Sequence, residues 1–249
     1  MVAKRLGLAL ATLAMAACHS PPGLGSAATD VAKATLSGEA CPDIGERAYF
    51  FWMEPLSAEP GDEIALFPYW TDMPGGYNDL PPGCLDGLGV FPEGAATFRR
   101  QEDGLAIATI SPDLAPGTRV RLEGNYRGYA LNGPVDIYAK AANPLVGMWR
   151  QDGSDCPDGT AIQELVFSGG GEFSVTWTPF EVYKDYWGSY AYDPETGAIR
   201  LEIESGNQVP DDVVTEGTVT LDEGMMTFDT LYFGTPMDAE DGCRAGFPR

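Results

Sequence analysis

Histidine is almost absent from this chain of 249 residues; its one copy, His19, lies near the N-terminus. A His-dependent catalytic triad or a His-ligated metal centre therefore has nothing to build on in the rest of the sequence. Basic residues are scarce as well: 15 Lys and Arg face 37 Asp and Glu, for a net charge of −22. A field of that sign repels phosphate backbones and anionic lipid, which argues against nucleic acid and against a basic membrane patch. No Cys-x-x-Cys pair occurs, so a four-cysteine metal site lacks its usual spacing. There is no Gly-x-Ser-x-Gly, and Ser168-Gly169-Gly170-Gly171 is not followed by lysine, so neither a hydrolase elbow nor a phosphate loop is present. Nothing in the sequence asks for a cofactor. The only extended apolar run, residues 6–17, falls short of the ~20 residues that a membrane-spanning helix needs.

That run is better explained as an export signal. Lys4 and Arg5 precede it and small residues end it. Met15-Ala16-Ala17-Cys18 resembles the bacterial lipobox, in which small residues precede a cysteine that is acylated and becomes the first residue of the mature protein. The resemblance implies a signal peptide over residues 1–17, lipidation at Cys18 and, with His19 rather than Asp after it, anchoring in outer-membrane lipid. Ordinary signal-peptidase cleavage after Ala16 is the alternative, giving a soluble exported protein. Residues 18–40 are small, polar and rich in Pro and Gly, which makes them a tether reaching on the order of 25 Å.

Beyond the tether, short alternating runs are separated by Gly, Pro, Asn and Asp, the pattern of an all-β protein. The stretch Ala141-Ala142-Asn143-Pro144 divides them into residues 41–142 and 143–249. With Cys18 set aside, four cysteines remain, and the pairings Cys41–Cys84 and Cys156–Cys243 each stay within one half. The second half is the more acidic: 5 basic and 20 acidic side chains give −15, against −8 from 7 and 15 in the first.

In the first half, an aromatic run at 47–53 and a Pro60-Gly61-Asp62 turn precede Ile64 and Leu66. Val120 and Leu122 alternate with Arg119 and Arg121, so the two pairs face opposite ways. Asn132-Gly133 reads as a hairpin turn before Val135 and Ile137. About seven strands in ~100 residues suit a β-sandwich. The Pro-Gly-Asp and Ala-Pro-Gly-Thr turns resemble those of bacterial immunoglobulin-like domains, which implies a spacing or adhesive role without a reaction.

In the second half, alternating strands run through Leu165/Phe167, Phe173/Val175/Trp177, Tyr190/Tyr192, Ile199/Leu201/Ile203, Val219/Leu221 and Met226/Phe228, joined by tight turns. Consecutive short hairpins favour an up-and-down meander that closes into a small antiparallel barrel. Gly147-Met148-Trp149 matches the Gly-x-Trp that opens the first strand of lipocalins, so this half resembles a lipocalin-like domain. The resemblance implies structural roles for Gly147 and Trp149, with a late arginine packed across that Trp; Arg244 is the first candidate and Arg249 the second. The segment is shorter than a full lipocalin, which narrows its interior.

Seven aromatics fall within residues 177–192. Trp177, Tyr183, Tyr186, Trp187, Tyr190 and Tyr192 either grip a small apolar or stacking ligand at the barrel mouth or fill the barrel. Glu181 and Asp185 have the carboxylates, without an established separation, for glycoside hydrolysis. The acidic loops around Asp152–Asp158 and Asp238–Asp241 lack the calcium-loop spacing. Three functions stand as expectations: a non-catalytic, lipid-anchored binder of a small apolar ligand; an acidic module or inhibitor for a cationic envelope protein; and a carbohydrate hydrolase.

Overall fold

The structure, a computed structural model, describes residues 41–43, 57–71, 77–180 and 183–249. The signal segment, Cys18, the tether, the aromatic run at 47–53 and Glu181 lie outside the described residues. Alternation has become strand in both halves. The first half contains β1 (Ser57–Ala58), β2 (Glu63–Leu66), β3 (Tyr69–Thr71), β4 (Tyr77–Asp79), β5 (Asp86–Phe91), β6 (Ala96–Arg100), β7 (Ala106–Ile110), β8 (Arg119–Tyr126) and β9 (Tyr129–Ile137). A four-stranded sheet in the order β1-β9-β8-β5 accompanies a three-stranded sheet, β2-β7-β6, and the β3–β4 pair. Val120 and Leu122 are buried while Arg119 and Arg121 are exposed, as the alternation requires. They join Leu131 and Val135 from their own sheet and Ile64, Leu66, Ala108 and Ile110 from the other in one core. The Cys41–Cys84 bridge, with an S–S distance of 2.04 Å, ties residues 41–43 to this core.

One turn falls elsewhere than expected. Asn132-Gly133 does not reverse the chain; β9 runs straight through it, with Asn132 opposite Glu123 and Gly133 opposite Leu122. The reversal is at Arg127-Gly128, whose φ values of 49° and 90° suit a primed hairpin turn. The Asn125 side-chain oxygen accepts from Gly128 N–H at 2.7 Å and closes it. This register sets Val120 against Val135 and Gly124 against Leu131, keeping the apolar pairs on the buried face.

The second half is a nearly closed, eight-stranded antiparallel barrel. Its strands are β10 (Gly147–Trp149), β11 (Glu164–Phe167), β12 (Glu172–Thr176), β13 (Tyr186–Tyr192), β14 (Ala198–Gly206), β15 (Glu216–Asp222), β16 (Met225–Asp229) and β17 (Phe247–Pro248), each paired with the next. The seam between β10 and β17 is held by neighbours of the strands. Gln151 Nε2 donates to the Ala245 carbonyl at 3.0 Å, and Asp152 N–H to the Gly246 carbonyl at 3.3 Å. Cys156–Cys243 fastens the same seam covalently.

The two halves touch through the Ser168–Gly171 turn. Gly169 N–H donates to Ser57 Oγ at 2.8 Å. Within the second half, Asn143 Nδ2 donates to the Tyr190 hydroxyl at 2.7 Å. Arg119 donates twice to Asp136, at 2.6 and 3.0 Å, and reaches Glu172 on β12 at 3.4 Å. A methyl group on Gly169 would come within 2.9 Å of Tyr138 Cβ, and one on Gly170 would overlap the Asp136 carboxylate. These two glycines are therefore needed for close approach between the halves, while Gly171, at φ +83°, supplies the left-handed turn residue.

Candidate functional site

Inward positions on the barrel strands converge on a packed interior. Leu145, Trp149, Phe167, Phe173, Trp177, Tyr186, Tyr190, Phe233 and Phe247 all belong to it. Phe167 meets Tyr190 edge-on at 4.8 Å, and Phe173 meets Tyr186 at 6.0 Å. The polar ends of the tyrosines are used internally: Tyr186 donates to the Phe233 carbonyl at 2.8 Å and Tyr190 to the Ser168 carbonyl at 2.7 Å. Burial pushes the Tyr190 phenol up to about 12 and raises Tyr186 well above its ordinary value.

Three of the candidate ligand contacts, Trp177, Tyr186 and Tyr190, thus fill the barrel, and Tyr192 packs half-buried against them. A ring buried among its own neighbours has no face left for a ligand at the mouth. Trp187 points the other way, onto the outer wall. Tyr183 is exposed in the β12–β13 loop, where its hydroxyl donates to Asp185 Oδ1 at 3.1 Å. Asp185 is buried and its second oxygen accepts the Trp177 backbone N–H at 2.7 Å. Both oxygens of this carboxylate brace the loop.

The Gly-x-Trp residues have distinct physical roles. Gly147 has φ +131°, a conformation L side chains rarely adopt, although open space lies where its Cβ would be. Trp149 is buried and donates from Nε1 to the Leu145 carbonyl at 2.7 Å. Arg244 does not pack across Trp149. Its guanidinium lies 3.7 Å from the Tyr232 ring centre, whereas that of Arg249 lies 5.0 Å from the centre of the Trp149 ring. The pairing of Met226 with Phe247 and of Met225 with Pro248 carries the chain back to the barrel seam, so the residue after β17 reaches Trp149. Both disulfides join the expected partners, Cys41 with Cys84 and Cys156 with Cys243.

The outer wall is where accessible chemistry gathers. Across β13–β16 it holds an open groove of about 690 Å³. Its lining includes small residues, Ala191, Ala198, Gly217 and Thr218; Asp193, Glu216 and Asp229 bring carboxylates and Arg200 the one cation among the lining residues. Arg200 pairs with Glu216 at 3.4 Å, both well exposed, so this contact contributes little stability. Asp193 is held below the ordinary carboxylate range by the Thr196 hydroxyl and the Glu195 N–H. Thr230 at the groove's end has φ 70° in a turn closed by Leu231 N–H to the Asp229 carbonyl. Among the described residues, no group of three or more His, Cys, Asp and Glu is arranged to hold a metal ion.

Neither a protein-family model nor a curated protein matches this chain.

The groove was invisible to a reading centred on aromatics. Its signature is a patch of small or short outward residues recurring in register, with Ala191 opposite Arg200, Ala198 opposite Thr218 and Thr218 opposite Asp229. That pattern becomes visible only once strand pairing is known.

Proposed function

We propose that the chain is a non-catalytic, exported binding protein, anchored to envelope lipid through an acylated Cys18, whose acidic barrel wall engages a cationic protein partner. One observation carries this reading: the barrel interior is occupied by its own aromatic side chains, while the outer wall holds a groove with three carboxylates and a single arginine. The net charge of −15 on residues 143–249 strengthens the attraction and speeds encounter with a basic surface. Two disulfides fit an oxidising compartment. Attachment is assigned to an acylated Cys18, on the lipobox-like Met15-Ala16-Ala17-Cys18. The immunoglobulin-like half serves as the spacer.

The test is association of the full chain with basic envelope proteins at low and high salt. Binding is expected at low salt, with loss as salt rises and loss on combining Asp193→Asn, Glu216→Gln and Asp229→Asn. Capture that ignores both salt and the triple variant overturns the proposal.

A further inference from the structure

Three large apolar residues, Met148, Val166 and Trp187, share one outward row of the barrel strands. Met148 lies opposite Val166, Val166 opposite Ser174, and Ser174 opposite Trp187 across β10–β13. Met148 is 52% exposed, Val166 and Trp187 are partly exposed, and the Ser174 between them is covered at 4%. Apolar side chains thus occupy three of the row's four positions. The next outward row, two residues along, crosses Glu172, Ser189 and Glu202. Glu202 and Glu204 are exposed and have no ion-pair partner among the described residues. Along β13 the outward positions continue from Trp187 through Ser189 to Ala191, which lines the groove.

We infer that this row is a docking face for an arginine of the cationic partner, stacked on Trp187 with its charge turned toward Glu202. The inference rests on the proposed function and names the partner's contact group. Charge complementarity selects a cation, since Glu172 in the neighbouring row is already met by Arg119 but Glu202 is not compensated among the described residues, and the ring supplies a negative face. The chemistry selects arginine over lysine, because a planar, weakly hydrated guanidinium lies flat on an indole and still reaches a carboxylate, whereas an ammonium keeps its water. Four residues of strand separate Trp187 from the groove residue Ala191, so a second basic group of the same partner, about 13 Å away, falls over the carboxylates there.

The experiment titrates oligo-arginine and oligo-lysine peptides of equal length into the full chain, following tryptophan emission and heat of binding. The wild type is expected to bind oligo-arginine about fivefold more tightly, the factor that corresponds to ~1 kcal/mol of stacking. Trp187→Ala is expected to remove that preference while leaving oligo-lysine affinity unchanged. Trp187→Phe, which keeps a ring in place, retains it, and Met148→Ser, at a largely exposed position, reduces it with the fold intact. A preference that survives Trp187→Ala overturns the docking row and leaves the acidic wall standing. Failure of the wild type to bind either peptide at low salt overturns both.

Discussion

Arg249 lies over Trp149, its guanidinium carbon 5.0 Å from the ring centre, and so covers the seam between the first and last strands of the barrel. Removing that contact should loosen the seam selectively. Arg249→Ala is expected to cost about 0.5–1 kcal/mol, the worth of an exposed cation–π contact, and to speed hydrogen exchange at the Gln151 and Ile162 amides. Arg244→Ala, which breaks the contact with Tyr232, is expected to leave exchange at those two amides unchanged. Exchange mass spectrometry on both variants decides between the two arginines.

Gly170→Ala places a methyl group where the Asp136 carboxylate sits, and Asp136 is the partner that fixes Arg119. Overpacking of this kind costs about 1–3 kcal/mol. The expected outcome is a lower thermal midpoint together with faster proteolysis between residues 139 and 146, because the contact between the halves is what the substitution disrupts. Gly224→Ala is a control for backbone strain alone: its φ is +86° and nothing lies within 4 Å of its would-be Cβ. It should lower stability without exposing that connection.

The Cys156–Cys243 bridge closes a long loop, with 87 residues of sequence separation. Replacing both cysteines by alanine should lower stability by about 4–5 kcal/mol through the added freedom of the unfolded chain. Denaturant unfolding monitored by tryptophan emission gives the figure, and a loss under 1 kcal/mol would contradict it.

Alkaline pH should destabilise the barrel. The Tyr190 phenol is pushed from its ordinary value of 10.0 up to about 12, chiefly by burial. The folded state therefore keeps a proton that the unfolded state releases above pH 10. The associated stability is complete below pH 10 and is lost as pH rises toward about 12. Thermal midpoints at pH 8, 10 and 11.5 should fall in that order, and Tyr190→Phe should flatten the last part of the decline.

The strand pattern was legible because burial and alternation coincide. Leu165, Phe167, Phe173, Val175, Ile199 and Leu201 all turn inward from their strands, as their spacing requires. The two disulfides were legible because each closes within one half. What stayed hidden depended on pairing. Asn132-Gly133 and Arg127-Gly128 both have a glycine in second place, and only the opposition of Val120 to Val135 selects the second as the turn. Arg244 and Arg249 lie five positions apart, and the path from Cys243 to β17 decides which one reaches Trp149. Strand spacing within the aromatic cluster puts Tyr186, Tyr190 and Tyr192 on one face and Trp187 on the other, and the structure turns the tyrosine face inward. Gly169 and Gly170 had the chemistry of a turn; their contact with the other half has no local signal.

The Cys156–Cys243 link also changes what a single cut in the backbone would do. Between those cysteines the barrel is a closed covalent ring, and Lys184 sits exposed in the loop between β12 and β13. Cleavage after Lys184 by a trypsin-like protease would open the ring without dividing it: the two pieces would stay joined through sulfur and would separate on a gel only after reduction. Nicking at this exposed lysine would thus leave the acidic wall covalently joined to the rest of the chain.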